Sequence, residues 1–356
     1  MKRLDVYPDH ALLVRILRTP SELATLSAET FSRAMDAAEQ ARLLGWLVTR
    51  MDEQELPRNP PSWLADRVLS ARALVGEYDR SLRWEIDRLD RAFQDADVRW
   101  ILLKGGAYLA ADLPPGRGRR VADVDVLVPH ALLVETETVL KAHGWRFGEI
   151  DPYDERYYRT WMHELPPMVH DERESIVDVH HAILPRTGRL QPSSARLIDQ
   201  AIDVEPTGVR VLCPAHMVLH AAAHLFHDGE IAGAIRDLAD LDGLLRTFSR
   251  QPEFWDELIR EAPELELKRP AYYAIRYTQR LFDTPVPSGV TAKLDAWSPP
   301  GPIRWLMDVL VARALPGSSG HASSSAAFAL YVRSHWLRMP PWLLVQHLAR
   351  KSMRPR

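Results

Sequence analysis

The sequence predicts an α+β protein, a small mixed β-sheet core with helical N-terminal and C-terminal regions. Three observations predict it. Apolar residues recur at helical spacing over residues 1–95 and again from Pro214 onward. Residues 96–195 instead carry short apolar runs punctuated by Gly, Pro and Asp. Within those runs polar residues alternate with Val, Ile and Leu, which is the period of a strand. The expected organisation is a helical region over 1–95, a core over 96–195, a helical region packed on the core over 196–283, and a linker with a helical tail over 284–356.

At 356 residues the chain is long enough to bury a sizeable core. A formal net charge of -3 gives no general nucleic-acid footprint. Cys213 is the single cysteine, so no intrachain disulfide can form and a reducing, cytoplasmic setting is expected. Asp9, Arg15 and Arg18 interrupt the N-terminus where a secretion signal needs an apolar core. No charge-free stretch reaches membrane-spanning length.

The elements follow in order. Phe31, Met35, Ala38, Ala41, Leu44 and Leu47 predict one helix over 30–51. Pro57, Pro60 and Pro61 break the pattern, and Ser62 is the expected N-cap of a long amphipathic helix. Its stripe is Val75, Tyr78, Leu82, Ile86, Leu89 and Phe93, and its mixed charges read as a solvated face. Strands are expected over 98–103, 124–128, 145–148, 168–170 and 175–183. A short helical segment is expected over 107–113, and a helix from Pro129 ends at a Gly144 C-cap. Helices then cover 214–227, 231–248, 252–262 and 267–282. Residues 284–302 and 317–325 read as flexible, and the tail after Trp336 mixes Trp342 and Leu343 with Arg350, Lys351 and Arg354.

The chemistry concentrates in two runs. Ile101-Leu-Leu-Lys104 ends in Gly105-Gly106, and Val121-Ala-Asp123-Val-Asp125-Val-Leu-Val128 carries two aspartates at alternate positions. On a strand, Asp123 and Asp125 share a face, and paired carboxylates repel unless a cation lies between them. Hard oxygen ligands suit Mg²⁺, with Mn²⁺ as the alternative. Gly105 and Gly106, at the entry to a helical segment, leave backbone N–H groups for a phosphate, with Lys104 and Arg120 beside them. A phosphate cradle next to a metal-binding Asp pair reads as phosphoryl or nucleotidyl transfer.

This order of Lys-Gly-Gly, Arg119-Arg120 and Asp-Val-Asp-Val-Leu-Val resembles the DNA polymerase β-type nucleotidyltransferase superfamily. Within it, the chain most resembles the bacterial uncharacterised nucleotidyltransferase family, over roughly residues 95–245. Ile176-Val-Asp178-Val-His180 is similar to the strand that carries the superfamily's third carboxylate. His163-Glu-Leu-Pro-Pro167 is similar to a family element between the second and third. The gap from Gly106 to Asp123 exceeds the superfamily's minimal pattern, and Leu113–Arg120 is expected to form a loop over the site. The resemblance implies Asp123, Asp125 and Asp178 as catalytic metal ligands. It implies Lys104, Gly105, Gly106, Arg120, His163 and His180 as nucleotide contacts. The implied reaction moves an NMP from an NTP, with ATP the expected donor, to an acceptor hydroxyl that the sequence does not select.

Two other readings compete. His216, His220, His224 and His227 share one helical face and, with Asp228, resemble a metal-dependent HD phosphohydrolase. The spacing to Asp237 and Asp240 is too compressed for that enzyme, so a packing helix is expected, with His224 and Asp237 reaching the main pocket. A nucleotide-binding regulatory module without turnover is the other, and the three filled carboxylate positions argue against it.

Overall fold

The computed structural model describes residues 8–53, 62–228, 231, 234–315 and 324–340. Four helices open the chain: α1 (Pro8–Arg18), α2 (Ala28–Gln40), α3 (Leu44–Glu53) and α4 (Ser62–Asp95). The single helix expected over 30–51 is two. Arg42 adopts a left-handed backbone (φ 57), and the chain closes α2 with Leu43 N–H on Ala38 O and Arg42 N–H on Glu39 O. This is the Schellman arrangement that usually employs glycine. In α4, Leu82, Ile86, Leu89 and Phe93 are buried as the stripe predicts. The three prolines expected to precede α4 lie outside the described residues.

The sheet and its connections follow: β1 (Ile101–Leu102), α5 (Lys104–Ala110), β2 (Asp123–Leu127), α6 (Leu133–Ala142), β3 (Trp145–Phe147), α7 (Pro152–Trp161), β4 (Met168–His170) and β5 (Ile176–His180). Then come α8 (Ser194–Asp199), β6 (Ile202–Val204) and β7 (Val209–Val211). The seven strands form one mixed sheet in the order β3-β4-β5-β2-β1-β7-β6. β2 runs parallel to β5, with Asp125 opposite Asp178, and antiparallel to β1. Central β2 reads as a buried strand should, since Val124, Val126, Leu127 and the following Val128 are all buried. α4 packs on β2, α5 and α6.

Several local expectations are corrected. Gly105 and Gly106 lie inside the first turn of α5, which begins at Lys104 and ends at Ala110, three residues before the expected end at Leu113. The first strand is two residues long, and α7 was not expected. β6 and β7 carry the sheet beyond residue 195 into a segment expected to be helical, because β7 pairs in parallel with β1.

The C-terminal helices are α9 (Pro214–Ala223), followed by a π-helical turn over His224–Asp228, α10 (Ile235–Phe248), α11 (Phe254–Glu264), α12 (Lys268–Phe282), α13 (Ser288–Asp295), α14 (Gly301–Ala314) and α15 (Ser324–Arg338). α9 packs against α10, α11 and α12, and α12 meets α1 at the other end of the chain. The expected linker over 284–302 instead contains α13, with Val290 and Leu294 buried. The Ser/Gly stretch lies outside the described residues up to 323, and the basic tail does so from 341 onward. Among the described residues, no helix is long and apolar enough to cross a membrane.

Candidate active site

Alternation along β2 turns Asp123 and Asp125 to one face, and the parallel register with β5 sets Asp178 beside Asp125. The result is a cluster in which one carboxylate oxygen from each of the three lies within 4.8 Å of the others. Unit charges about 4 Å apart repel by roughly 4 kcal/mol in surroundings of intermediate polarity. The chain relieves this unevenly. Burial opposes ionisation of Asp125, but Lys104 and His180 hold its carboxyl well below the usual range. Lys104 Nζ donates to Asp125 Oδ1 at 2.6 Å, and His180 Nε2 meets the same oxygen at 2.9 Å. Asp178 accepts no such hydrogen bonds, and the pull of His180 on it is outweighed. Burial, then Asp125 and Glu164, push it up to about 7, and its Oδ1 is buried with no hydrogen-bond partner. Three convergent carboxylates, one of them orphaned, fit a hard divalent cation.

Beside the triad opens a cavity of about 570 Å³. Asp123, Asp125, Lys104, Gly105 and Arg120 line it, together with Arg42, Tyr108, Arg119, His220, His224, Arg236, Asp237 and Asp240. Two of its cations sit on left-handed backbone, Arg42 and Lys104 (φ 48). For residues with a Cβ this conformation costs about 1–2 kcal/mol, and strain of this kind collects where a side chain has to be aimed. Arg119 is ion-paired with Asp240. Arg120 lies over the Tyr78 ring at 5.2 Å.

The loop over the site is clamped. Gly118 (φ 74) presses so close to Gly45 that a Cβ on Gly45 would lie 2.2 Å from the Gly118 carbonyl oxygen. Only glycine permits two backbones that approach. Arg117 pairs with Asp112 and with Glu53 of α3. These contacts explain how the first helices reach the cavity: α3 fixes the loop, and the α2–α3 turn delivers Arg42.

Not every residue proposed from sequence reaches the cavity. Gly105 lines it, but the missing Cβ of Gly106 faces Leu102, 2.9 Å away, so its smallness serves packing of α5 on β1. His180 is buried and bridges two carboxylates, meeting Glu164 Oε2 through Nδ1 at 3.3 Å while Nε2 holds Asp125. This is a positioning role behind the triad, as carboxylate–histidine pairs play behind metal ligands. His163 is buried against His180, ring centroids 5.3 Å apart, and burial holds it well below the ordinary histidine range. Oxygen or nitrogen atoms of His163, Glu164 and His180 form a second group close enough to share a cation.

The histidine helix divides its members among different tasks. His220 and His224 line the cavity, as does Asp237. His216 is buried against Glu261 at 2.9 Å. Among the described residues, neither cation-capable group contains a histidine of this helix. Arg42, Tyr108 and Arg236 escaped the sequence reading, since they come from three elements far apart in the chain. Glu164 carried the one usable signal, its place beside His163 in the His-Glu-Leu-Pro-Pro segment.

No curated protein matches the chain. A family model does, and it runs from α2 through α12, taking in the sheet, the carboxylate triad and every helix that walls the cavity. Its match covers residues 27–283, and the chain belongs to the uncharacterised nucleotidyltransferase family.

Proposed function

We propose that the protein is a Mg²⁺-dependent enzyme that transfers an NMP from an NTP, with ATP as the donor, to an acceptor hydroxyl. The observation that carries this reading is the convergence of Asp123, Asp125 and Asp178, the first two of which line a cavity that also holds four arginines and Lys104. The two features together match what a metal-bound triphosphate needs, a hard-oxygen ligand set and cations for its phosphates.

Asp123, Asp125 and Asp178 would hold the cation, Mn²⁺ serving as an alternative to Mg²⁺. Bound there, a divalent ion supplies charge neutralisation for the phosphates and lowers the pKa of a hydroxyl close to it. Lys104, Arg42 and Arg120 orient the triphosphate through charge-assisted hydrogen bonds. Asp178, whose buried Oδ1 has no hydrogen-bond partner, accepts the acceptor's hydroxyl proton. The acceptor oxygen bonds to the α-phosphorus, the bond from that phosphorus to the bridging oxygen breaks, and pyrophosphate departs with the electron pair. His180 and Glu164 keep Asp125 in place throughout.

Titrating Mn²⁺ against the protein and reading free Mn²⁺ by electron paramagnetic resonance tests the cation site. Asp123→Asn and Asp178→Asn should each weaken binding by at least about tenfold. Tight Mn²⁺ binding that survives both substitutions would move the metal away from the triad. Zinc held stoichiometrically and lost in His220→Ala would favour the phosphohydrolase reading instead.

A further inference from the structure

Helices α14 and α15 lie beyond the family match, which ends at residue 283. Of the eleven large apolar side chains exposed among the described residues, six belong to this helix pair. On α15, Ala326, Leu330 and Ser334 are buried and form the face turned to the body of the protein. Phe328, Val332 and Trp336 follow these by two residues each, which on a helix carries them to the opposite side. A helix on a globular surface is expected to be polar on that outer side. Here it is apolar and open to solvent, with Phe328 66% exposed. α14 packs against α15 and adds Ile303, Trp305 and Leu306, all exposed in its first two turns.

The charge of this end of the chain is one-sided. Asp308 is the last acidic residue in the sequence, and residues 309–356 carry seven Lys and Arg against no Asp or Glu. The whole chain has a formal net charge of -3, so residues 1–308 hold -10. Arg333 turns inward to the Phe226 carbonyl at 2.7 Å, whereas Arg313 is exposed. Exposed Arg189, between β5 and α8, lies over the Trp336 ring at 4.6 Å and puts a further cation beside the stripe. Beyond the described residues the sequence repeats the combination, Trp342, Leu343 and Leu344 being followed by Arg350, Lys351 and Arg354.

We propose that α14 and α15 rest on an anionic lipid bilayer. The apolar side chains enter the boundary between headgroups and acyl chains, and the basic residues meet the anionic headgroups. Trp305 and Trp336 suit the headgroup level, which accommodates both the apolar body of an indole and its polar N–H. Nucleic acid would use the cations and stack on the aromatic rings, but it gains nothing from exposed Ile303, Leu306 and Val332. A second copy of the chain would use the apolar stripe, but a two-fold interface brings one basic segment without carboxylates against another. The bilayer uses both features at once. Lying on a surface needs no spanning helix, and attachment of this kind is independent of the reaction at the triad.

Flotation of the full chain with vesicles of phosphatidylcholine alone, or of phosphatidylcholine mixed with phosphatidylserine, tests it. The mixed vesicles should be bound at least about tenfold more tightly, and the binding should weaken as salt is raised. Phe328→Ser combined with Val332→Ser should reduce binding by at least about tenfold and leave the melting temperature unchanged, because both side chains are exposed. Leu69→Ser, at an exposed apolar position of α4, should stay within about twofold of wild type. Replacing Arg350, Lys351 and Arg354 together by Gln should cut the preference for phosphatidylserine by at least about tenfold. Equal binding to the two vesicles, binding to neither, or binding undiminished in the Phe328 and Val332 double variant would overturn the proposal. A dimer in sedimentation equilibrium that the double variant dissociates would overturn it too, by giving the stripe to a second copy. So would tighter binding of a single-stranded RNA oligonucleotide that the double variant retains, since the cations would then serve nucleic acid.

Discussion

At the scale of single residues, the site is a problem in arranging like charge. Asp125 is stabilised as an anion by two donors on one oxygen, while Asp178 is left without a partner and drawn toward neutrality. The two aspartates are therefore shifted in opposite directions although the register makes them neighbours. His180 and Glu164 are the supports of this arrangement, standing behind Asp125 and outside the lining of the basic cavity. His180→Gln should weaken Mn²⁺ binding and lower turnover by about 10- to 100-fold, with KM for the nucleotide little changed. Glu164→Gln should do the same more mildly, since it acts one hydrogen bond further out. A raised nucleotide KM with unchanged kcat in His180→Gln would make that histidine a nucleotide contact, as its motif first implied. That the three aspartates lie together was legible because an Asp-x-Asp strand and a lone strand Asp are local patterns. That the His180 ring turns to Asp125 and Glu164 was not, because nothing in Asp-Val-His tells which way the ring turns or what buries it.

At the scale of elements, the α2–α3 turn shows how local stability and function compete. Arg42 occupies the left-handed position of a Schellman cap where glycine would be unstrained. Arg42 lines the cavity. Arg42→Gly should stabilise the fold by about 1 kcal/mol and weaken nucleotide binding by roughly tenfold. Thermal melts and nucleotide titration on the same variant decide it, and a variant that is both more stable and fully competent would remove Arg42 from the site. No periodicity argument could have found this residue. The 30–51 segment has a continuous helical stripe, and the break comes from a backbone conformation that Arg rarely adopts. β6 and β7 escaped for a different reason, being three residues each, too short for alternation to stand out from a helical pattern. The long stripe of α4 and the apolar β2 run, by contrast, were legible because their periods repeat over many residues.

The same scale holds a pH dependence. Glu261 of α11 receives two hydrogen bonds from Arg196 of α8, at 2.7 and 3.0 Å, and meets His216 of α9 at 2.9 Å. Arg196 foremost, with His216, draws its carboxyl down to about 2 against the burial that opposes this. A carboxyl with a depressed folded pKa stabilises the fold above its unfolded value, about 4.3, and that contribution disappears as pH falls toward 2. Glu261→Gln should therefore destabilise the protein by roughly 2 kcal/mol at neutral pH. The difference from wild type should shrink in denaturation curves taken below pH 4. A gap that stays constant down to pH 2 would mean that packing, and not charge, is what Glu261 provides.

At the scale of the whole molecule, one sheet carries the carboxylates and helices from both ends of the chain complete the cavity. α3 clamps the loop over the site, α9 and α10 supply its far wall, and Arg18 of α1 donates to the Leu281 carbonyl of α12. The family match includes all these walls, from α2 to α12, which is the extent a cavity built in this way requires. The central claim is that phosphorus–oxygen cleavage occurs between the α- and β-phosphates, at the carboxylate triad. The direct measurement incubates the protein with Mg²⁺, cell extract and ATP labelled at either the α- or the γ-phosphate, and follows where each label goes. The account predicts that the α-label appears on an acceptor, that the γ-label leaves in pyrophosphate, and that Asp125→Asn abolishes both by at least about 100-fold while retaining its circular dichroism spectrum. Transfer of the γ-label to the acceptor, or α-label transfer by Asp125→Asn at the wild-type rate, would contradict it.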